Sequence, residues 1–127
     1  MSLGVSKVIL GVRTPSKGQT AKADIENITG RLGVVEVWKI DLESFASVKE
    51  FTACANGLWR LDAVILNAGL ASGAFNLTPD GWERQIQVNV LSTALIGLLF
   101  STQLARTRKS YLELTPHLVV VGGRYSF

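Results

Sequence analysis

The sequence alternates short apolar runs, rich in β-branched residues, with longer segments of helical periodicity. The apolar runs occupy residues 7–13, 34–40, 61–66 and 117–121. The helical segments occupy residues 19–29, 44–55 and 78–106. This order predicts one α/β domain over residues 1–127, with a parallel sheet and helices on both of its faces. The first run is apolar throughout, so we expect its strand to be buried on both faces.

Apolar side chains at helical spacing predict which faces of the first two helices are buried. These side chains belong to Ala21, Ile25 and Ile28 in the first helix and to Phe45, Val48 and Phe51 in the second. Gly30 follows the first helix and predicts its C-terminal stop. The two predicted stripes face the core of the domain.

The third helical segment is the longest and the most apolar. Thr78 precedes Pro79, and a hydroxyl followed by proline predicts a capped helix start at this point. Trp82 and Ile86 are one turn apart, and we expect both to pack in the core. The apolar stretch over residues 88–100 contains polar side chains. It is also shorter than the about 20 residues of a membrane span, so we predict a buried helix and no membrane partner.

Composition excludes several classes of protein. The 127 residues are 47% hydrophobic and 18% charged, which is not the composition of a disordered tail. The net charge of +3 is too small for a nucleic-acid partner, which demands a concentrated basic face. Cys54 and His117 are the single cysteine and histidine, so we expect neither a disulfide framework nor a metal site. A reduced cysteine and the lack of a convincing signal segment favour the cytoplasm.

Polar residues and glycines follow the predicted strands, at the edge where a sheet of this kind binds ligands. These positions are Arg13, Asp41, Asn67 to Gly69, and Gly122 with Gly123.

Four motifs in this order resemble the short-chain dehydrogenase/reductase family. The run Leu-Asp-Ala-Val-Ile-Leu-Asn-Ala-Gly over residues 61–69 is similar to the family's Asn-Ala-Gly strand, and Val-Asn-Val over residues 88–90 to its helical asparagine. Asp41 and Leu42 resemble the aspartate and apolar residue that meet the adenine ring. Arg13 resembles the basic residue of members that prefer NADP. The resemblance covers nearly all of residues 3–123 and is strongest to fungal members. It implies a Rossmann-like fold, NADP, and hydride transfer with a small carbonyl or alcohol substrate.

The resemblance gives each strand-end residue a role with a physical reason. Asp41 would accept a hydrogen bond from the adenine amino group. The planar guanidinium of Arg13 suits a ribose 2′-phosphate. The turn formed by Asn67, Ala68 and Gly69 would let the backbone approach a flat cofactor. The structural alternatives are a helix cap for Asp41, a solvated strand-end side chain for Arg13, and a simple turn for Gly69.

Asn89 is polar in the middle of an apolar helix, where an amide side chain lowers helix stability. In the family, this asparagine holds a water that links the active-site lysine to solvent. The resemblance therefore makes Asn89 a catalytic residue, vestigial in this chain. The structural alternative is a buried amide that is bonded to neighbouring backbone.

The sequence also departs from the family pattern. It contains no Gly-x-x-x-Gly-x-Gly turn, which in the family places the pyrophosphate at a helix N-terminus, and residues 1–6 resemble the tail of the helix after that turn. Gly123 stands where the family has its catalytic serine. No Tyr-x-x-x-Lys motif is present, and Tyr125 comes too early to match. We therefore predict a partial Rossmann-like domain that lacks the first strand and the catalytic part and binds NADP weakly or not at all.

Three interpretations stay open at this point. The chain is an incomplete copy of an NADP-dependent oxidoreductase, a non-catalytic remnant that pairs with a complete relative through the long helix, or a small cyclase or isomerase without cofactor. Loss of a central strand predicts open sheet edges at residues 8–12 or 64–66. A helix that is apolar around most of its circumference needs cover on more than one side, so we also predict a homo- or hetero-oligomer.

Overall fold

The computed structural model describes residues 5–122, and the strands and helices follow one another in the predicted order. The elements are β1 (Val8–Val12), α1 (Pro15–Thr29), β2 (Val35–Lys39), α2 (Phe45–Ala55), β3 (Ala63–Leu66), α3 (Arg84–Ile86), a π-helical segment (Gln87–Ser92), α4 (Thr93–Ser110) and β4 (His117–Val120). The described strands form two parallel pairs, β1 with β2 and β3 with β4. The predicted parallel α/β architecture is confirmed. Among the described residues each strand pairs with one other, so every strand, β1 and β3 included, has one edge without a strand partner.

The chain divides into two compact units, residues 1–41 and 42–127. In the first unit, α1 packs on the β1–β2 pair through Gly18. A Cβ atom added to Gly18 would lie 2.5 Å from Val37 Cγ1 and 2.8 Å from Val12 Cγ2. Gly30 ends α1 with a left-handed φ of 65°, which confirms the predicted stop. The helix begins at Pro15, earlier than predicted, because the fixed φ of proline suits the first turn of a helix.

Two expectations about the first unit are wrong. Ile28 is 86% exposed and Ala21 is also exposed, so the predicted stripe of α1 is not buried and Gly18 is the buried residue of that helix. Strand β1 is half-buried rather than buried on both faces. The reason is that a single helix packs on a sheet of only two strands within this unit, which leaves apolar side chains partly uncovered.

In the second unit, α2 and α4 pack against each other, and α4 packs on the β3–β4 pair. Ser44 caps α2, and its hydroxyl accepts the N–H of Ser47 at 3.2 Å. Val48 is fully buried, as its place in the predicted stripe requires, while Phe45 and Phe51 are half-buried. The apolar core of the unit is formed by Val48, Ala55, Val64, Val88, Ile96, Phe100 and Leu104.

The predicted start of the long helix at Thr78 is wrong. Residues 78–81 form a tight turn in which the N–H of Gly81 donates to the carbonyl of Thr78 at 2.9 Å and Gly81 has a φ of 85°. Proline, aspartate and a left-handed glycine are the residues that such turns demand, so this run forms a turn and not a helix. The helix begins at Arg84, after the Glu83 carboxylate accepts the N–H groups of Gln85 and Ile86 at 3.1 and 2.9 Å.

The long helix, residues 84–110, is less buried than predicted. Trp82 and Ile86 are 51% and 50% exposed, so their predicted place in the core is wrong, and Leu98 is 71% exposed. The helix is long and apolar enough to cross a membrane, and 33% of its most apolar 18-residue stretch is buried inside the structure. The core helix of a soluble protein meets the same test.

Candidate functional site

The chain leaves β3 through an exposed turn that the long helix anchors. Asn67, Ala68 and Gly69 are all exposed, and the backbone of the next residue, Leu70, pairs with the side chain of Asn89. The N–H of Leu70 donates to Asn89 Oδ1 at 2.8 Å, and Asn89 Nδ2 donates to the carbonyl of Leu70 at 2.7 Å. One side-chain amide therefore satisfies both backbone groups of the residue that follows the turn.

The geometry of Asn89 matches its structural alternative in part. Its amide bonds to backbone, although the side chain is exposed rather than buried. A water-holding role for Asn89 stays a prediction. Gly69 has no positive φ, and a Cβ atom added there would lie 3.5 Å from Asn89 Oδ1, an ordinary contact. Neither backbone conformation nor the neighbouring side chains thus require glycine at position 69.

A second amide holds the same loop, and sequence reasoning missed it. Gln85 Nε2 donates to the carbonyl of Ser72 at 2.8 Å, and the N–H of Ser72 donates to Gln85 Oε1 at 3.3 Å. Gln85 and Asn89 are four residues apart, which places them on neighbouring turns of one helix face. Two amide side chains four residues apart on a helix, together with a loop of small residues nearby in the sequence, are the signal that indicates this pair of side-chain contacts with the loop.

The helix is wider where it holds this loop. Residues Gln87–Ser92 are π-helical, and we call this segment the π-turn. Such single turns inside α-helices occur frequently at functional sites. Ser92, at the end of the π-turn, is fully buried, and its hydroxyl donates to the carbonyl of Leu42 at 2.6 Å. The π-turn thus bonds both to Leu42, a predicted cofactor contact, and through Asn89 to the end of the Asn67–Gly69 turn.

A buried polar network fixes the first residue of the π-turn. Gln87 is fully buried, its Nε2 donates to Asp80 Oδ2 at 2.9 Å, and its Oε1 accepts the hydroxyl of Thr78. Asp80 Oδ2 also accepts the N–H of Phe45 at 2.8 Å, at the start of α2. The hydrogen bond from the Phe45 N–H is the main cause that lowers the pKa of Asp80, and the Gln87 hydrogen bond adds to it. A carboxylate at this end of a helix also interacts favourably with the helix dipole.

In the first unit, the two predicted cofactor residues follow neighbouring strands. Val12 pairs with Lys39 at the ends of β1 and β2, and the N–H of Ile40 continues the pairing by donating to the carbonyl of Val12 at 2.8 Å. Arg13 follows Val12 directly and is exposed, while Asp41 follows Ile40 and is half-buried. Because β1 and β2 are parallel, Arg13 and Asp41 both lie at the carboxyl end of this strand pair.

The predicted site residues are thus distributed over both units. Arg13 and Asp41 belong to the first unit, whereas Leu42, the Asn67–Gly69 turn and Asn89 belong to the second. The cofactor roles of these residues stay predictions. Residues 1–4, Gly123 and Tyr125, which mark the departures from the family pattern, lie outside the described residues.

Comparison with known proteins gives one consistent family. A profile described as short chain dehydrogenase matches residues 1–110. The chain is 44% identical over 120 residues to the short chain dehydrogenase atnD of Emericella nidulans and covers 94% of its own length and 38% of that relative. It is 45% identical over 106 residues to the short chain dehydrogenase sol3 of Alternaria solani, covering 84% of this chain and 37% of that relative. The chain therefore spans less than half the length of the curated relatives that it matches.

Solved structures show the same fold. A short-chain dehydrogenase from Sphingobium yanoikuyae in complex with NADPH superposes with a TM-score of 0.68 at 23% identity, over 91% of this chain and 43% of that one. The Pseudomonas aeruginosa RhlG/NADP active-site complex superposes with a TM-score of 0.66 at 25% identity, over 91% and 44% respectively.

Proposed function

The chain belongs to the short-chain dehydrogenase/reductase family, and from this membership we propose that it is the adenosine-contacting part of an NADP(H)-dependent oxidoreductase. In a complete enzyme of this kind, a bound NADP(H) would supply or take up the hydride, and a small carbonyl compound or alcohol would be the other substrate. The observation that carries the proposal is the placement of strand-end residues. Arg13 and Asp41 both lie at the carboxyl end of the β1–β2 strand pair, and the π-turn holds both Leu42 and the Asn67–Gly69 turn.

The residues present fit the adenosine end of such a cofactor. Arg13, exposed at a strand end, offers a planar guanidinium to a ribose 2′-phosphate. Asp41 offers an acceptor to the adenine amino group, and Leu42 offers an apolar contact to the ring. Gly69 is exposed, and neither backbone strain nor neighbouring side chains account for its lack of a Cβ atom. Close approach of a flat cofactor is a reason for glycine at this position.

We propose further that these 127 residues on their own do not reduce carbonyl compounds. A hydride transfer to a carbonyl carbon needs a proton donor for the oxygen. The sequence carries neither the Tyr-x-x-x-Lys motif that supplies the proton in the family nor a serine at position 123. It also lacks the glycine-rich turn for the pyrophosphate, so we expect NADP to bind more weakly than micromolar. Asn89 accordingly has no catalytic lysine to serve within these residues.

Calorimetric titration of the 127-residue chain with NADP and NAD tests the adenosine site. We expect weak binding of NADP, and Arg13→Ala should weaken NADP more than NAD because only NADP carries the 2′-phosphate. Arg31→Ala is the matched control, because Arg31 precedes β2 and therefore lies toward the amino end of the same parallel strand pair. Equal losses for both nucleotides in Arg13→Ala, or an equal effect of Arg31→Ala, contradict the assignment.

A second candidate function rests on the exposed face of the long helix. Ile86, Val90 and Leu98 are 50%, 58% and 71% exposed, and with the exposed Ala94 they follow one another at intervals of four residues. A continuous apolar stripe on a soluble helix is the kind of surface that a protein partner covers. We propose that a second copy of the chain or a complete relative covers it, so that the chain acts as a subunit of a homo- or hetero-oligomer.

Sedimentation velocity tests this second function. The chain should sediment as a dimer or larger species at micromolar concentration, and Leu98→Glu should shift it toward the monomer. Leu112→Glu is the control, because Leu112 is 74% exposed and lies beyond α4. A monomer with cooperative unfolding before any substitution contradicts the proposal.

The cytoplasm remains the proposed compartment. The proposal rests on Cys54, which is exposed and the single cysteine of the chain, and so forms no internal disulfide.

A further inference from the structure

The threonine that follows the π-turn bonds differently from the threonines of α1 and α2. Thr20, Thr29 and Thr52 each donate a hydrogen bond to the carbonyl four residues earlier, at 3.2, 2.7 and 3.1 Å. This is the usual partner of a threonine hydroxyl in an α-helix. Thr93 donates instead to the carbonyl of Val88, five residues earlier, at 3.2 Å. Five residues is the repeat of π-helical hydrogen bonds, so the Thr93 hydroxyl matches the wider turn.

The pattern of burial along the helix depends on that wider turn. The buried side chains step back by four residues each time, from Leu104 through Phe100, Ile96 and Ser92 to Val88. In an uninterrupted α-helix, a step of four residues passes a full turn by about 40°, so four such steps would drift by about 160°. A π-turn holds more residues and reduces this drift. Only the step from Ser92 to Val88 lies within the π-turn, and the wider turn therefore brings Val88 back toward the buried face that Ser92 occupies.

The π-turn also sets the direction of the side chains that bond to the two loops containing Leu42 and Leu70. Ser92 donates to the carbonyl of Leu42, and Asn89 pairs with both backbone groups of Leu70. At the N-terminal end of the turn, Gln87 is fixed by Asp80 and Thr78. If one residue left the turn, its two ends would rotate relative to each other by about 100°. Asn89 and Ser92 could not then keep their partners while Gln87 keeps its own.

We propose that Thr93 is a positioning residue: its hydroxyl, on the carbonyl of Val88, holds the π-turn and thereby aims Asn89 at Leu70 and Ser92 at Leu42. The inference rests on the proposed function only in that these two loops would contact the cofactor. The contacts themselves join residues of this chain to one another. A test on the free chain therefore separates the failure of this inference from a failure of cofactor binding.

Amide hydrogen exchange of the 127-residue chain, followed by NMR, tests the inference. The readout is the Leu70 amide, whose N–H donates to Asn89 Oδ1. Thr93→Val removes the hydroxyl and keeps the branched shape, and it should speed exchange at Leu70 by about tenfold, the loss of one side-chain hydrogen bond. Thr93→Ser keeps the hydroxyl and should leave the Leu70 rate within about twofold of the original.

Thr52→Val is the matched control, because the buried Thr52 hydroxyl bonds four residues back in α2. It should leave the Leu70 amide unchanged. Asn89→Ala should speed Leu70 at least as much as Thr93→Val, and the double variant should add nothing further.

Three outcomes overturn the inference. One is an unchanged Leu70 rate in Thr93→Val. Another is equal acceleration of the Phe100 amide, which indicates general destabilisation. The third is an additive effect in the double variant. If Thr93→Val does not fold, Thr93→Ser and Thr93→Ala are compared in the same way, and equal Leu70 rates in these two variants overturn the inference.

Discussion

The two units of the chain hold their helices in different ways. In the first, α1 lies so close to its strands that a Cβ atom on Gly18 would overlap Val37 Cγ1 at 2.5 Å. Among its described residues, the buried ones are Gly18, Val35 and Ile40, and none carries a polar side chain. In the second, a Cβ atom on Gly97 would meet Leu118 Cδ2 at an ordinary 3.6 Å. The buried polar side chains all belong to this unit: Thr52, Thr78, Gln87, Ser92, Gln103 and Thr107.

This difference indicates that apolar contact holds a helix on its strands, whereas polar side chains hold a loop. In the first unit, close apolar contact between helix and strand holds the helix, and the side-chain ion pair and hydrogen bonds of its described residues, such as Lys7 with Glu36, lie outside the buried core. The second unit must also order residues 67–83, which contain no strand or helix of their own. Side-chain amides of the long helix form hydrogen bonds with this loop, since backbone groups there have few partners in regular structure.

Removing the buried network should have the largest effect. Gln87→Leu keeps the approximate volume and leaves the hydroxyl of Thr78, a residue only 5% exposed, without its acceptor. Because a buried polar group without a partner costs about 1–3 kcal/mol, we expect a loss of about 3 kcal/mol in the free energy of unfolding of the second unit. Hydrogen exchange followed separately over β3 and over β1 measures it.

Gln19→Leu is the control for that experiment, because Gln19 is exposed on α1. It should leave exchange in both strands unchanged. If Gln87→Leu leaves the exchange of β3 unchanged, the network does not hold the second unit. If it accelerates hydrogen exchange in β1 as much as in β3, the two units unfold together, and the network does not stabilise the second unit separately.

The glycine contacts give a smaller effect of opposite sign in the two units. Gly18→Ala forces the stiff side chains of Val12 and Val37 to move, at a cost of about 1–3 kcal/mol that a gain of at most about 1 kcal/mol in helix propensity offsets in part. Gly97→Ala meets an ordinary contact, so the same propensity gain should stabilise the second unit by up to about 1 kcal/mol. Urea unfolding of both variants measures these changes. Equal changes in the two variants refute the difference in packing.

The sequence predicts the elements well because each rests on local chemistry. The strand runs, the Gly30 stop and the Ser44 helix start depend on residues near one another in the chain, and all three are present in the structure. Thr78 and Pro79 show the limit of local signals, since the same pair suits a helix start and a tight turn. The left-handed Gly81 decides between the two structures. The Pro-Asp-Gly run, with glycine at the fourth position of the turn, is the signal in the sequence that favours the turn.

The site was harder to predict because its geometry comes from contacts between distant residues. The positions that follow the strands were identified from the sequence, since parallel strands end at one edge of a sheet. The partner of Asn89 is 19 residues away at Leu70, and the partner of Ser92 is 50 residues away at Leu42. Neither pairing has a local pattern. The π-turn is invisible to an analysis by helical periodicity, because its residues interrupt the 3.6-residue repeat on which that analysis depends.

The smallest expected effect concerns the pKa values of two carboxylates, one in each unit. The pKa of Glu36, in the first unit, lies below its ordinary value of 4.5, chiefly because of the hydrogen bond from Lys7, whose Nζ is 2.6 Å from Glu36 Oε1. The pKa of Asp80, in the second unit, lies below 3.8, chiefly because of the backbone N–H of Phe45. Each carboxylate stabilises its unit above the pKa of the unfolded chain, and this contribution is lost as the pH falls through the lowered pKa.

Salt should affect these two carboxylates differently. An exposed ion pair is screened by mobile ions, whereas a hydrogen bond from a backbone N–H involves no second full charge. NMR titration of both carboxyl groups at low and at about 1 M salt, where the Debye length is about 3 Å, should raise the pKa of Glu36 toward its ordinary value and move that of Asp80 less. Lys7→Met should raise the pKa of Glu36 in the same direction and leave Asp80 unchanged. If salt raises both pKa values equally, the N–H of Phe45 is not the main cause at Asp80, and the second unit relies on charge as much as the first.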